Sequence, residues 1–185
     1  KMAIGKKSKE LSIEIKLQEK TSAQLDGRIL TLKGQKGKLK REFKDKDIKI
    51  EHKDGSITLK APKFSKVNKK HIKSYAAHIR NMMRGCNEMH KYTLKICSGH
   101  FPMNVSVNND QLVVKNFLGE KVPRILKLKP GANVMVEGDL IIVESLSKEI
   151  AGQVSADIET LTRRTRYDMR IFQDGCWIIN KDGKD

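Results

Sequence analysis

Apolar and polar residues alternate along LSIEIKL (Leu11–Leu17) and again along ILTLKG (Ile29–Gly34). A period of two sends successive side chains to opposite faces, so both stretches predict half-buried strands. KLKREF, DIKIEH and SITLKA continue the pattern, with Asp54-Gly55 predicting a hairpin turn and Ala61-Pro62 ending the run. The period then changes. Val67, Ile72, Tyr75, Ala76, Ile79, Met82 and Met83 share one helical face, and Gly85 fits a helix C-cap. Strand-like runs restart at YTLKI, NVSV and QLVVKN, bend at Gly119, and continue through VPRILKLK, NVMVE and LIIVES. Ser147 is placed to cap a second helix whose apolar stripe is Ile150, Val154, Ile158 and Leu161, with Glu149 favourable in its first turn. RIFQDGCWIIN closes the chain with a short strand-like tail.

The pattern is therefore strands and a helix, twice, at a repeat of about 82 residues. Leu30 matches Leu112, Leu32 matches Val114, Lys33 matches Lys115 and Gly37 matches Gly119. The expected fold is α+β: two tandem copies of a small antiparallel sheet packed on one helix. The expected domains are 1–86 and 87–185, each large enough to bury a core of its own.

Charge changes the picture. The chain of 185 residues carries 38 Lys and Arg against 22 Asp and Glu, a net charge of +16. Such a balance points to nucleic acid, an anionic membrane or an acidic protein as partner. Residues 1–85 hold 24 of the cations and 9 of the acids, and no acid lies between Pro62 and Gly85. That stretch predicts a cationic helix face over Lys63–Arg84. Two further basic clusters follow. One surrounds the second bend (Lys115, Lys121, Arg124, Lys127, Lys129); the other is Arg163, Arg164, Arg166 and Arg170. Several clusters on so basic a chain favour a polyanion. Aromatic residues are only 5% of the chain, too few for a platform that stacks single-stranded bases. Neither helix combines large apolar residues with a basic face as interfacial helices do, so a membrane surface is the weaker expectation.

The two bends are the candidate chemistry. A hairpin tip of Gly flanked by Lys brings backbone N–H and ammonium groups close to phosphates. In the first bend the candidates are Lys36 and Lys38. In the second, Lys121, Arg124 and Lys127 would neutralise phosphates beside Lys115, and Gly119 would let the backbone approach. Asn116 is a turn-former or an RNA contact. Phe117 and Leu118 are core or RNA-packing residues. Glu120, a carboxylate beside phosphates, would pair with Lys121 or Arg124 or accept from a 2′-OH or a base amine.

Enzymatic chemistry finds little support. Cys86, Cys97 and Cys176 form no Cys-x-x-Cys pair and read as reduced thiols of a cytosolic protein. The five His are scattered, and no His-Glu-x-x-His, Walker or Gly-x-Ser-x-Gly motif occurs. Cys97 and His100 are close in sequence, but such a pair usually reflects packing, as do His71 and His78. No catalytic residue, metal, cofactor or small-molecule substrate is expected. No run of apolar residues is long enough to span a bilayer, and KMAIGKKSKELSIEIK lacks the apolar core of a signal peptide.

The letters of VVKNFLGEKVPR (Val113–Arg124) closely resemble a motif of the large-subunit ribosomal protein family number six in the universal nomenclature. The resemblance continues, in that family's order, through SGHFPMNV (Ser98–Val105), AGQVSADIETLTR (Ala151–Arg163) and RIFQDG (Arg170–Gly175). It is nearest the archaeal branch, with the eukaryotic branch next. In the first half the likeness is of pattern: strand runs, a Lys-Gly-x-x-Gly bend and the helix ending HIRNMMRGC. The resemblance implies two copies of one α+β fold in a structural component of the large subunit, working in the cytoplasm within the ribosome. It implies binding to large-subunit rRNA beside the sarcin–ricin region, chiefly by the second domain, near the elongation-factor site. Neighbouring large-subunit proteins, the stalk base included, would be partners. Asn116, Phe117, Leu118, Gly119, Glu120, Lys121 and Arg124 match the family's loop, and Arg170, Phe172, Asp174 and Gly175 its tail motif. Cys176-Trp177 departs from the usual aliphatic residue and Tyr, and the first half is more basic than the family leads one to expect. A free-standing basic RNA-binding module or RNA chaperone is the alternative from another class.

Overall fold

Leu11–Lys16 forms β1, which pairs antiparallel with β6 (Ser56–Ala61); the far edge of β6 carries β5 (Lys49–Lys53). A second sheet of three runs β2 (Ser22–Asp26), β3 (Ile29–Lys33) and β4 (Lys38–Glu42), with β3 central. Helix α1 (Lys66–Asn87) supplies the remaining wall of the core. This computed structural model describes residues 11–18, 21–45, 47–53 and 55–182; Asp54 of the expected turn and the N-terminal ten residues lie outside the described residues.

The same order recurs. In the second half, β7 (His90–Cys97), β12 (Leu140–Ser145) and β11 (Ala132–Glu137) make one sheet, and β8 (Asn104–Asn108), β9 (Gln111–Lys115) and β10 (Arg124–Lys127) make the other, with β9 central. Helix α2 (Lys148–Leu161) follows β12 as α1 follows β6. The added strand is β13 (Gly175–Asn180), which joins the free side of β7. The chain divides into two compact units between Glu88 and Met89. It is α+β, a tandem repeat of small antiparallel sheets and one helix, as the pattern predicts. Each unit splits its strands into two sheets rather than one.

Period-two burial explains the positions. Leu30 and Leu32, and their repeat mates Leu112 and Val114, are fully buried on the central strands. Each unit closes its own core: Leu30, Leu32, Ile57, Leu59, Ile72 and Ile79 in the first, Leu94, Leu112, Phe117, Ile141 and Ile158 in the second. Each such side chain contributes about 1.5–3 kcal/mol by leaving water.

Several sequence expectations are corrected. Strand β2 escapes detection because SAQLD offers only Ala23 and Leu25 as inward residues. Gly85 is not a C-cap: it lies buried inside α1, which runs to Asn87 and is capped by Glu88. Val67 is 59% exposed and does not belong to the apolar stripe. Ser147 occupies the N-cap of α2, but its side chain makes no capping bond. The Ser145 hydroxyl instead accepts from the Ser147 N–H and donates to the Gly131 carbonyl.

The two bends also differ. The first is a two-residue tip, with Gly34 N–H donating to the Gly37 carbonyl at 3.0 Å. The second spans 116–123 and is built over a short 3-10 turn, Phe117–Gly119. Gly119 has φ +79°, in the left-handed region, whereas Gly37 has no positive φ, so the paired glycines are not conformational equivalents. Gly34 is the constrained glycine of the first bend. A Cβ there would lie 2.6 Å from both the Cys86 carbonyl oxygen and Asn87 Oδ1. Gly34→Ala is therefore expected to destabilise unit 1 by about 1–3 kcal/mol through forced overpacking against backbone. Gly99→Ala, where nothing lies within 4 Å, is the control and should be nearly neutral. Urea unfolding of the two variants checks this.

Candidate nucleic-acid interface

In unit 2 the bend is held in a shape that its own residues resist. Asn116 (φ 57°) and Leu118 (φ 47°) both sit in the left-handed region, unusual for a side chain and most so for Leu. Three contacts hold it. Asn116 Nδ2 donates to the Pro102 carbonyl at 2.9 Å, Phe117 is buried in the core, and the Glu120 N–H donates to the Phe117 carbonyl. Local strain that persists because its surroundings over-determine it is a mark of functional sites.

Glu120 is the hub. Both its oxygens accept from Arg124, Nε and Nη2 each at 2.8 Å, and Oε1 also accepts from Arg164 Nη2 at 2.6 Å. The Arg124 hydrogen bonds, ahead of those from Arg164, outweigh the burial that opposes them and hold the Glu120 carboxyl down at about 2. Arg124 is spent on structure. Its guanidinium lies 4.3 Å from the centre of the Phe117 ring and donates to the Leu161 carbonyl at 2.6 Å. Leu161 ends α2, so Arg124 satisfies a carbonyl that the helix leaves unbonded. The first bend does the same for its own helix by a different group: the Lys36 N–H donates to the Cys86 carbonyl at the end of α1.

From Arg164 the network continues through rings. Its guanidinium lies over Tyr167 at 5.0 Å; Tyr167 meets Phe172 edge-on at 4.8 Å, and Phe172 stacks on His100 at 4.7 Å. Asp174 closes the chain. It accepts from the Gly99 N–H (2.7 Å), the His100 N–H (3.0 Å) and His100 Nδ1. Burial pushes its carboxyl upward, but the His100 and Gly99 donors prevail and hold it below the ordinary Asp value. Segments 98–103, 116–124 and 162–174 are thus welded into one rigid end of unit 2.

The candidate residues sort accordingly. Glu120, Arg124, Arg164 and Asn116 are brought together as scaffold. Lys115, Lys121, Arg163 and Arg166 are exposed around it. Arg170 is exposed and paired with the neighbouring Asp168. Lys127 is exposed but stands at the other end of β10, paired with Gln111, away from the bend. Lys129 pairs with Asp157 at 3.4 Å. Lys36 and Lys38 are exposed on unit 1. Alternation along β10 is the signal that could have placed Arg124 inward, on the side of Leu126, with Ile125 and Lys127 outward. The sequence did not link His100 to Asp174, since no local pattern marks a partner some seventy residues away; Tyr167 was missed although its partners, Arg164 and Phe172, lie within five residues of it.

Other candidate side chains weighed for chemistry are structurally occupied. His71 pairs with Asp45 at 2.9 Å, and the Tyr75 hydroxyl donates to the same carboxylate. His78 contacts Arg41. His100 is engaged by Asp174 rather than Cys97. Burial pushes the Cys176 thiol up to about 11, far from a reactive thiolate. Trp177, in the departure from the family pattern, donates its indole N–H to the Gln173 carbonyl at 2.9 Å. No helix among the described residues is long and apolar enough to cross a membrane.

The family model for ribosomal protein L6 matches residues 18–88 and 101–175, one stretch in each unit. The large ribosomal subunit protein uL6 of Methanosarcina mazei is 39% identical over 173 residues, covering 94% of this chain and 98% of its own length. Those of Methanocella arvoryzae and Methanothrix thermoacetophila are each 37% identical, covering 91% and 85% of this chain and 96% and 90% of their own lengths.

Proposed function

The chain belongs to the ribosomal protein L6 family, and from that premise we propose that unit 2 docks on large-subunit rRNA with its rigid end. The protein is a structural constituent of the large ribosomal subunit, not an enzyme. Lys115, Lys121, Arg163 and Arg166 neutralise phosphates, Arg170 joins them on parting from Asp168, and Gly119 admits the RNA backbone. Glu120, Arg124 and Arg164 hold the bend that presents them. The docking site lies beside the sarcin–ricin region and the stalk base, whose proteins are neighbours, and the protein supports the elongation-factor site there, in cytoplasmic ribosomes. The observation that carries this reading is that one carboxylate, Glu120, gathers two arginines from different segments beneath a rim of exposed cations. A rigid cationic rim loses less entropy on binding than a mobile one.

The test is binding to an rRNA fragment containing the sarcin–ricin region, against an unrelated duplex, across a salt series. Wild type is expected to prefer the fragment even at high salt. Lys115→Gln, Lys121→Gln and Arg163→Gln should each make the log–log salt slope shallower by about 0.7–0.9, for fragment and unrelated duplex alike. Equal affinity of wild type for both RNAs, or unchanged slopes in the variants, would sink the assignment.

A further inference from the structure

Unit 1 carries a second charged surface that the rim of unit 2 does not explain. Lys66, Lys69, Lys70, Lys73 and Arg80 are all exposed on α1, and no acid occurs from Pro62 to Gly85. At 100° per residue these five fall within about 100° of arc and extend roughly 21 Å along the helix. Of the buried residues, Ile79, Met82 and Cys86 occupy the opposite side, with Ile72, Ala76 and Met83 along one flank, so the row faces outward. The ammonium groups of Lys66, Lys69, Lys70 and Lys73 have no ion-pair or hydrogen-bond partner among the described residues. Asp45, the acid that reaches α1, is taken by His71 and Tyr75.

Such a row works against its own helix. Lys66 faces Lys69 and Lys70, Lys69 faces Lys73, and Lys70 faces Lys73, all at spacings where like charges destabilise a helix. Surface helices normally intersperse acids at these spacings. This one leaves the repulsion uncompensated, and an external polyanion would relieve it.

We infer that the outward face of α1 is a second docking surface, separate from the unit 2 rim, for the sugar–phosphate backbone of double-helical RNA. Lys66, Lys69, Lys70 and Lys73 are its phosphate contacts, and Arg80 continues the row. A single strand fits less well, because Tyr75 is turned inward against Phe43 and, among the described residues of unit 1, Phe64 is the one exposed Phe, Tyr or Trp. A membrane fits less well, because the apolar side of α1 is consumed by the core of unit 1. An acidic protein would need an apolar centre that the row lacks. The choice of RNA over DNA rests on family membership; the row itself reads phosphates. The consequence is a protein able to hold two RNA segments, one on each unit.

The test uses the full chain with Lys66→Gln, Lys69→Gln, Lys70→Gln and Lys73→Gln combined, and a 20-base-pair RNA duplex unrelated to rRNA. The log–log salt slope of wild type is expected to exceed that of the variant by about 3, with at least a tenfold loss of affinity near 0.1 M salt. The melting temperature of the free variant should equal or exceed that of wild type, since repulsions are removed. An unchanged slope would overturn the inference. So would a lowered melting temperature, which would show the lysines anchored in the fold. So would loss of binding to phosphatidylserine vesicles with the duplex slope retained, which would make the row a membrane surface. Combined Lys115→Gln and Lys121→Gln in unit 2 is the independent arm. It should make the slope on the same duplex shallower by about 1.4–1.8 whether or not the α1 row binds, so the two surfaces stand or fall separately.

Discussion

Asp174→Ala should cost unit 2 about 2–4 kcal/mol, because one buried carboxylate accepts from three donors. The residue is 8% exposed, and it alone satisfies the backbone N–H groups of Gly99 and His100 together with His100 Nδ1. Removing it leaves these donors, which stand on exposed residues, to water in place of a fixed carboxylate. For a unit of this size the melting temperature should fall by roughly 10 °C or more. Asp174→Asn is the sharper comparison. One amide oxygen can still accept from the backbone, but the opposing NH2 cannot accept from His100, so roughly half the loss is expected. The pH dependence has a definite sign. The Asp174 carboxyl titrates below its ordinary value in the folded state, so its stabilisation is present above the unfolded value and is lost as pH falls through the folded one. Thermal melts at pH 7 and below pH 3 decide the matter. If Asp174→Ala melts within a degree or two of wild type at pH 7, the weld between segments 98–103 and 162–174 is not what holds this end together.

Glu120→Gln should have the second-largest effect, and in a direction that charge alone does not foresee. Removing a negative charge from beneath a cationic rim ought to tighten RNA binding. Losing the carboxylate, however, leaves Arg124 and Arg164 with one weak acceptor in place of a doubly engaged one. The expected destabilisation is about 2 kcal/mol, the lower part of the range for hydrogen bonds to charged groups, because Glu120 retains partial solvent exposure. The bend should then relax from its left-handed conformation. Non-specific duplex affinity is expected to rise slightly while preference for the rRNA fragment falls severalfold. Acid makes the two proteins alike. Glu120 titrates near 2 in the fold against an ordinary value of 4.5, so its stabilisation is full above about 5 and fades as pH falls toward 2. The stability difference between wild type and variant should shrink over that window. A difference that stays constant from pH 7 to pH 2 would mean that the carboxylate is not the hub.

Much of this molecule is legible in its letters. Alternation in LSIEIKL and QLVVKN placed strands, the change to a helical period placed α1 and α2, and the tandem repeat foretold two units of one α+β fold. These are local properties: the period of a strand or helix is set within a few residues of chain. The motifs around Asn116–Arg124 and Arg170–Gly175 pointed to a family, and the family match covers both units. What the letters did not contain was the fate of each cation. Arg124 and Lys121 stand three residues apart and look alike in sequence. One is locked to Glu120, Phe117 and the end of α2, and the other is exposed. The deciding partners lie far along the chain: Leu161 for Arg124, Glu120 for Arg164, Asp174 for His100. The sequence alone determined most of the elements, β2 apart, and that the protein is strongly basic. Only the tertiary structure decided which charges are consumed in building the scaffold and which remain for a ligand, because a charge is neutralised by whatever the fold brings within about 3 Å of it, at any separation in sequence.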